Sequence, residues 1–394
     1  MIQSMQESSS HVKKIDYMLI FIVILLGIVS VFTLYTLMPY LGENYYFRQI
    51  TWYIGGAIMI GVIMFIDYDR ILQISWFIYG FGVLLLVMLY FHFPPGIAHN
   101  ANNAWSWFDF GFFMLQPAEI MKVFLIIHLA HIVIAHKEKF EQASVLRDLW
   151  LLVKIALLSL PPMILIALQP DLGSFLVLVA IVLCMILVSG IQWKVLLTLC
   201  ITAVVAIGAF VFLYISFPEE IGQFADDYGF DHVESRFSAW LDPDSNTQGD
   251  SYQLNLTMRA IGSGQLSGKG LSELEVPGIP ERQTDMVFSA IAEQFGFIGS
   301  SLLILLFFML IYRLIQIGLQ STDPFGSLVM AGMIGMFTYQ IFQNVGMSIN
   351  LLPITGLPLP FISYGGSSTL TYLLAIGLAL NIYYRTKTYM FGSD

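Results

Sequence analysis

Long apolar runs separated by short polar segments make up most of this 394-residue chain. About ten of these runs approach the 20 residues that a helix needs to cross a bilayer. Helices are expected because their backbone hydrogen bonds close within one segment, and the short alternating segments of a membrane barrel do not occur. The predicted spans are 15–38, 49–66, 71–92, 117–136, 148–168, 173–190, 194–216, 297–318, 325–347 and 366–385.

Two polar or aromatic segments interrupt this pattern. Residues 217–296, between predicted spans 7 and 8, hold 14 of the chain's 27 Asp and Glu residues. The spacing of Trp240, Leu254 and Ile261 predicts short amphipathic helices at the membrane interface, and the glycines that follow predict turns. Segment 92–117 is rich in Trp and Phe, which is typical of an aromatic belt at headgroup level.

Composition supports the same class. The chain is 57% hydrophobic and 11% charged, with a mean hydropathy of +0.76, and one soluble core could not hide that much apolar surface. The net charge of −10 comes without a basic stripe, so no nucleic-acid partner is expected. Cys184 and Cys200 fall inside apolar spans, so no disulfide framework holds the polar insert.

Cations in the short connections orient the chain. With the N-terminus inside, inner segments hold Lys or Arg at ten positions, whereas short outer segments hold only Arg48. Both termini are therefore predicted in the cytoplasm and the insert 217–296 outside. The predicted organisation is a cytoplasmic tail 1–14, a single ten-helix membrane domain 15–385 containing one large extracytoplasmic loop, and a cytoplasmic tail 386–394. The fold class is thus an all-α polytopic membrane protein.

Several ionisable residues lie near the predicted membrane boundaries. Glu119 and Lys122 are three residues apart, so they share a helix face and can pair, either as a structural ion pair or as the wall of a cavity. Asp171 follows Pro170 before an apolar run, where an aspartate also makes a good helix N-cap. Arg48 opens the second span, and snorkelling to the interface is its plain explanation.

Asp285 is the favoured acid–base group. It lies about a dozen residues before span 8, where its carboxylate can sit at the mouth of a membrane cavity; a solvated loop aspartate is the plain alternative. His92 and His99 are isolated, and neither zinc-type spacing nor a phosphate-binding glycine loop occurs. If this protein is an enzyme, its acid–base chemistry falls to a carboxylate.

Six segments, taken together and in order, resemble the SEDS family of shape, elongation, division and sporulation proteins. They are Gln116 to Lys122, Gln169 to Gly173, Ala260 to Gly264, Thr284-Asp285, Glu293 to Gly299, and Pro358 to Ser368. Leu352 to Pro360 is most similar to the elongation branch, RodA, which has FtsW and SpoVE as relatives. One departure is Glu281-Arg282-Gln283 before Thr284, where relatives often have Glu-Ala-His.

The resemblance implies a peptidoglycan glycosyltransferase acting in cell elongation. Its substrate would be lipid II, the undecaprenyl-pyrophosphate-linked disaccharide pentapeptide, polymerised on the outer face of the bacterial cytoplasmic membrane. The implied partners are a class B penicillin-binding protein, which is a transpeptidase, and the elongation machinery. By position, Asp285 matches the family's essential outer-loop aspartate, and Glu119 with Lys122 matches its charged pair.

Such a reaction needs a base for a sugar hydroxyl and cations for a leaving pyrophosphate. Asp285 is the expected general base, in an inverting displacement. A divalent cation, Mg or Mn, held by Asp285 or Asp171 is a further expectation, although one or two carboxylates make a thin site. The expected substrate-binding residues are Glu119, Lys122, Arg48, Asp171, Arg236, Gln253 and Arg259.

Three alternatives fit the same sequence. A transporter that flips lipid II would also have many spans, intramembrane charge and the irregular Pro- and Gly-rich run 353–366. The lack of evident inverted repeats and the position of Asp285 outside the membrane weigh against it. A non-catalytic scaffold would tolerate substitution of Asp285. A division or sporulation paralogue would carry out the same chemistry.

Overall fold

A computed structural model describes residues 15–101, 104–111, 113–140, 142–217, 231–241, 249–271 and 273–389. Within these ranges the chain forms a helical bundle with one small sheet. The helices are α1 (Tyr17–Leu41), α2 (Tyr45–Phe65), α3 (Tyr68–Gln73), α4 (Ser75–Tyr90), α5 (Pro117–Lys139), α6 (Val145–Ala167), α7 (Leu172–Val188), α8 (Trp193–Ser216), α9 (Asp231–Leu241), α10 (Asp250–Ser263), α11 (Val287–Gln320), α12 (Pro324–Ser348) and α13 (Gly366–Tyr389). The strands are β1 (Ala98–Ala101), β2 (Ala104–Asp109) and β3 (Met114–Leu115).

Eight of the described helices are long and apolar enough to cross a membrane, namely α1, α2, α5, α6, α8, α11, α12 and α13. The apolar helices α4 and α7 have only 16 and 17 residues, a little less than the roughly 20 that a perpendicular crossing needs. The predicted class, a helical multi-pass membrane protein, is confirmed. The count of ten crossings stays a prediction.

Side-chain caps fix where several helices begin. Asp16 accepts from the Leu19 N–H at 3.0 Å at the start of α1, and Asp171 accepts from the Ser174 N–H at 2.8 Å at the start of α7. Each cap satisfies an N–H that has no partner within its helix. At the other end of α1, Gly42 takes a left-handed conformation with φ of 71° and ends the helix.

The core lies between the central helices. The most buried membrane helix is α13, which packs on α2, while α12 packs on α7 and α11. By contrast, α8 is mostly exposed and touches its neighbours only at the edge. Cys184 and Cys200 are free thiols in α7 and α8. The central helices are therefore the rigid frame on which a site can be built.

The connection between α4 and α5 corrects the all-helical expectation. It forms a three-stranded antiparallel sheet in the order β1-β2-β3, in which His99 pairs with Trp107 and Phe108 with Leu115. The aromatic side chains of this segment suggested an interfacial belt, but alternate residues of a pleated strand also present rings to one face. The sheet lies at one end of the bundle, against the start of α5.

The insert before α11 contains the predicted short helices, α9 and α10, and their presence is confirmed. Helix α11 begins at Val287, before the predicted start of span 8 at residue 297, and it has a break at Gly296, which has φ of 62° and ψ of −159°. The predicted start lies directly after this break, and the position of the membrane boundary stays a prediction. The segment 265–270 bridges the break. Its backbone donates to the carbonyls of Glu293 and Gln294 at 2.9 and 3.2 Å and accepts from the next two N–H groups of α11.

Candidate functional site

A polar cavity of about 550 Å³ lies at the end of the bundle that carries the sheet. Three central helices, α5, α7 and α13, begin at its wall, so the partial positive charges of their N-termini face it. The remaining wall comes from β1, β2, β3, α9, the connection between α6 and α7, the loop before α11 and the run between α12 and α13. Its principal polar side chains are His99, Gln116, Glu119, Asp171, Arg236, Glu281, Thr284, Asp285, Tyr364 and Ser368.

The backbone around Asp285 is held from two directions. The Asn344 side chain, on α12, donates to the Asp285 carbonyl at 2.7 Å. From the run after α12, the Ser363 hydroxyl donates to the Thr284 carbonyl at 2.5 Å and the Tyr364 N–H donates to the Gln283 carbonyl at 2.9 Å. These bonds use only main-chain atoms of the loop, so the Asp285 carboxyl is left to face the cavity.

Asp285 is half-buried as a residue, and its carboxyl lies in the cavity wall, where within the described residues no side-chain hydrogen bond or ion pair engages it. The pKa of Asp285 is raised from 3.8 to about 7, mainly by burial and next by the nearby Glu281 carboxylate. The Arg236 guanidinium opposes the shift, and Asp171 adds a small rise. A carboxyl with a pKa near neutrality can both take and return a proton, which suits acid–base catalysis.

The predicted pairing of Glu119 and Lys122 is confirmed. The Lys122 ammonium lies 2.6 Å from Glu119 Oε1, and the two side chains are 0% and 3% exposed. Glu119 lines the cavity, whereas Lys122 lies behind it. Because Lys122 forms an ion pair with Glu119, its charge neutralises the carboxylate that lines the cavity.

Asp171 has both roles that its sequence position allowed. Its Oδ1 caps α7, and its Oδ2 accepts from the Gln116 side chain at 3.1 Å. Gln116 is the N-cap residue of α5. Asp171 therefore joins the starts of α5 and α7 while it lines the cavity.

Arg236 is the predicted cation that the structure places in the cavity wall. It projects from α9 and donates to the Thr355 carbonyl at 3.3 Å. On the same helix, the Trp240 indole donates to the Asn350 carbonyl at 3.2 Å. These two contacts hold α9 across the run that follows α12.

The other predicted substrate-binding residues are not part of the described cavity wall. Arg48 pairs with Glu43 at 3.2 Å on the exposed surface, and it interacts with the Tyr364 hydroxyl at the cavity rim. Gln253 donates to the Pro280 carbonyl at 3.0 Å. Arg259 is exposed on α10, because that helix turns its apolar face towards α11.

The sequence-based prediction missed His99, Glu281 and Tyr364. His99 seemed isolated in sequence, and only the sheet register brings it beside Trp107 in the cavity wall. Glu281 did carry a signal, because it stands four residues before Asp285 and one turn of chain can place two carboxylates together. In the described part of the chain, no group of three His, Cys, Asp or Glu side chains is arranged to hold a metal ion. The expected divalent cation at Asp285 or Asp171 stays a prediction; both carboxylates line the cavity.

Fold and site together define a multi-pass helical membrane protein with a carboxylate-rich cavity at one end of its bundle. The profile of the cell cycle protein family FtsW, RodA and SpoVE matches residues 13–388. The chain belongs to this family, as its sequence motifs predicted.

Two curated proteins of Bacillus subtilis (strain 168) are similar over most of the chain. Stage V sporulation protein E is 33% identical over 350 residues, which cover 86% of this chain and 87% of that protein. The protein named "Probable peptidoglycan glycosyltransferase FtsW" is 33% identical over 387 residues, which cover 94% of this chain and 91% of that protein.

Solved structures show the same fold. One belongs to the work "Structural coordination of polymerization and crosslinking by a peptidoglycan synthase complex", with a TM-score of 0.75 and 27% identity over 94% of this chain and 98% of that chain. The crystal structure of Thermus thermophilus Rod shape determining protein RodA has a TM-score of 0.64 and 25% identity over 94% and 96%. The solved neighbours include a RodA, whereas the sequence relatives include FtsW and SpoVE proteins, so the branch stays a prediction.

Proposed function

We propose that this protein is a peptidoglycan glycosyltransferase that polymerises lipid II, with Asp285 as its general base. The observation that carries this proposal is the Asp285 carboxyl, which lies in the wall of a polar cavity and has its pKa raised by burial to about 7. The similarity to proteins named probable peptidoglycan glycosyltransferases supports the reaction class.

In the proposed reaction, the acceptor C4 hydroxyl gives its proton to Asp285 while its oxygen attacks C1 of the donor muramic acid. The bond between C1 and the pyrophosphate oxygen breaks, and undecaprenyl pyrophosphate leaves with the bonding electrons. The configuration at C1 inverts. Proton transfer by a positioned carboxylate contributes a factor of about 10² to 10⁴ in rate. After each transfer, Asp285 returns its proton to solvent through the cavity that it lines.

The leaving pyrophosphate needs positive charge in a cavity that holds four carboxyl groups. We assign Arg236 as its side-chain contact, assisted by the N-termini of α5 and α13. Glu119 adds little repulsion because Lys122 neutralises it. Asp171 is occupied by the α7 cap and by Gln116, so we assign it to holding the cavity wall.

We further propose that the cavity opens on the outer face of the cytoplasmic membrane and that both termini, with the tails 1–14 and 386–394, are cytoplasmic. Helix α5 supports this orientation. It begins at the cavity and ends, 23 residues or about 35 Å later, at the cations Lys137 and Lys139. Positive charge marks the cytoplasmic end of a span.

A class B penicillin-binding protein is the proposed partner, because the chain resembles a component of a peptidoglycan synthase complex. The similarity to RodA supports a role in cell elongation. Depletion in the source cell tests that role: rounded cells support elongation, and blocked septation indicates division instead.

The decisive experiment incubates the purified protein and its partner with labelled lipid II in detergent, where no membrane sides exist, and resolves the products on a gel. Wild type should make polymer, and Asp285→Asn should fold and make none. Glu273→Gln removes an exposed carboxylate elsewhere in the same insert and should polymerise like wild type. A flippase or a scaffold would make no polymer, and full activity of Asp285→Asn would exclude the proposed base.

A further inference from the structure

A buried ion pair lies directly behind the loop that carries Asp285. Arg282 and Glu293 form it, with side-chain exposures of 1% and 0%. The Arg282 guanidinium also donates to the carbonyls of Val276 at 2.7 Å and Ser289 at 3.5 Å. Glu293 Oε1 accepts from the N–H groups of Glu275 at 2.6 Å and Val276 at 3.0 Å. The pair therefore joins the end of the insert to the first turns of α11.

The helical turn that supplies Glu293 is itself fixed. It ends at the Gly296 break, where the carbonyl of Glu293 accepts from the Lys269 N–H at 2.9 Å. A Cβ on Gly264 would lie 2.0 Å from the Ala292 carbonyl oxygen, so the two backbones are in direct contact there. Arg282 is thus attached to a rigid part of the bundle.

Because the Arg282 side chain points into the protein interior, the neighbouring side chain of Glu281 points towards the cavity. Glu281 takes φ of 48°, a left-handed conformation that is rare for a residue with a side chain, and it lines the cavity. The Glu281 carbonyl accepts from the N–H groups of Thr284 at 3.2 Å and Met286 at 3.1 Å. Residues 281–286 therefore form one compact turn, whose buried side chains are Arg282 and Met286.

We propose that Arg282 is a positioning residue, whose buried pair with Glu293 holds Glu281 and Asp285 on the cavity wall. The inference rests on the proposed role of Asp285 as general base. A buried ion pair is weak evidence for stability alone, because apolar residues of similar volume are often as stable. A planar guanidinium, however, reaches three acceptors on two segments at once, namely the Val276 carbonyl in the insert and the Ser289 carbonyl and Glu293 carboxylate on α11, which an apolar side chain or a lysine does not do. The pair accordingly fixes the position of the turn that carries Glu281 and Asp285.

Three variants separate positioning from stability. Arg282→Met removes one partner, Arg282→Met with Glu293→Leu removes both charges, and Arg282→Lys keeps the charge without the planar fork. The matched control is Arg313→Met, which breaks the Arg313–Asp16 pair, 2.7 Å long and 15% and 1% exposed, further along α11. For each variant, kcat, KM for lipid II, the pH–rate profile and the thermal midpoint are measured in the same detergent.

We expect Arg282→Met to lose kcat by about 10²-fold with little change in KM, as for a displaced catalytic group. The acid limb of its pH–rate profile should move to lower pH, because a loosened loop admits water to Asp285 and so lowers the pKa of that carboxyl. The double variant should unfold near the wild-type temperature yet keep the loss of kcat, and Arg282→Lys should recover only part of it. Arg313→Met should lower the thermal midpoint and leave kcat and the acid limb unchanged.

A stable double variant with wild-type kcat and acid limb would overturn the positioning role. If the double variant does not fold, Arg282→Lys decides by the same two readouts: a lowered kcat with a shifted limb supports the proposal, and wild-type values contradict it. Failure of the proposed function looks different. In that case wild type makes no polymer, or Asp285→Asn stays active.

Discussion

The Asn344 side-chain amide donates to the Asp285 carbonyl at 2.7 Å and, with its second hydrogen, to the Leu357 carbonyl at the same distance. Asn344 is completely buried on α12. It ties two stretches of irregular backbone, the turn before α11 and the run before α13, to one central helix. Irregular backbone near membrane depth persists only where protein groups satisfy it in this way.

Asn344→Leu should lower both stability and activity. Leucine has a similar volume but no donor, so two carbonyls lose their partner, at about 1–3 kcal/mol for each group left buried. The turn that carries Asp285 then loses its tie to α12, and polymerisation should fall by at least tenfold. The measurements are the thermal midpoint in detergent and the initial rate of lipid II polymerisation.

The control for this variant is Ser348→Ala, one turn further along α12. The Ser348 hydroxyl is also buried, but it donates only to the carbonyl of Asn344 within its own helix, at 2.8 Å. Its removal should cost little stability and leave the rate unchanged. A wild-type rate in Asn344→Leu would show that the hydrogen bond from Asn344 to the Asp285 carbonyl does not affect the function of Asp285.

The pH dependence of the reaction follows from the raised pKa of Asp285. A general base acts when deprotonated, and burial raises the pKa of this carboxyl to about 7. The rate should therefore be low at acid pH, where Asp285 is protonated, and should rise with pH through a midpoint near 7. A polymerisation rate measured between pH 5 and 9 checks this, and a rate with no acid limb in this range, as an ordinary aspartate with a pKa of about 4 would give, would contradict the role.

Glu281→Gln and Arg236→Gln should move that midpoint in opposite directions. The Glu281 carboxylate raises the pKa of Asp285, so removing its charge should shift the acid limb to lower pH. The Arg236 guanidinium lowers the same pKa, so its loss should shift the limb upward and also weaken the contact with the leaving pyrophosphate. A common direction for the two shifts would contradict this arrangement of charges.

The sequence predicts those features that depend on residues close to one another along the chain. Apolar runs locate the membrane helices, and the spacing of Glu119 and Lys122 anticipates their pair, because both signals are complete within one segment. The cavity wall is different: His99 arrives through a strand register, and Arg236 rather than Arg259 reaches the site because of how α9 packs against the run after α12. The first turns of α11 also depend on another part of the chain, because segment 265–270 forms the hydrogen bonds that join the two sides of the break in that helix.

Lys122→Met should destabilise the protein more than the double variant Lys122→Met with Glu119→Leu. Removing one partner leaves an uncompensated buried charge, at about 3–5 kcal/mol, whereas removing both is often neutral. Activity gives separate information because Glu119 lines the cavity. If Glu119 contacts substrate, the double variant should be stable and poorly active. A stable double variant with the wild-type rate would restrict the pair to a structural role.

Gly268→Ala tests the contact that bridges the α11 break. A Cβ at Gly268, where φ is 84°, would lie 2.0 Å from the Gln294 carbonyl oxygen, so the backbones must separate. A positive φ and this clash should together cost more than about 1 kcal/mol. Gly262 lies in α10 with no atom within 4 Å of such a Cβ, and Gly262→Ala should be neutral or stabilising by up to about 1 kcal/mol. Thermal midpoints of the two variants measure the difference. Equal midpoints would show that the backbone contact does not contribute to stability.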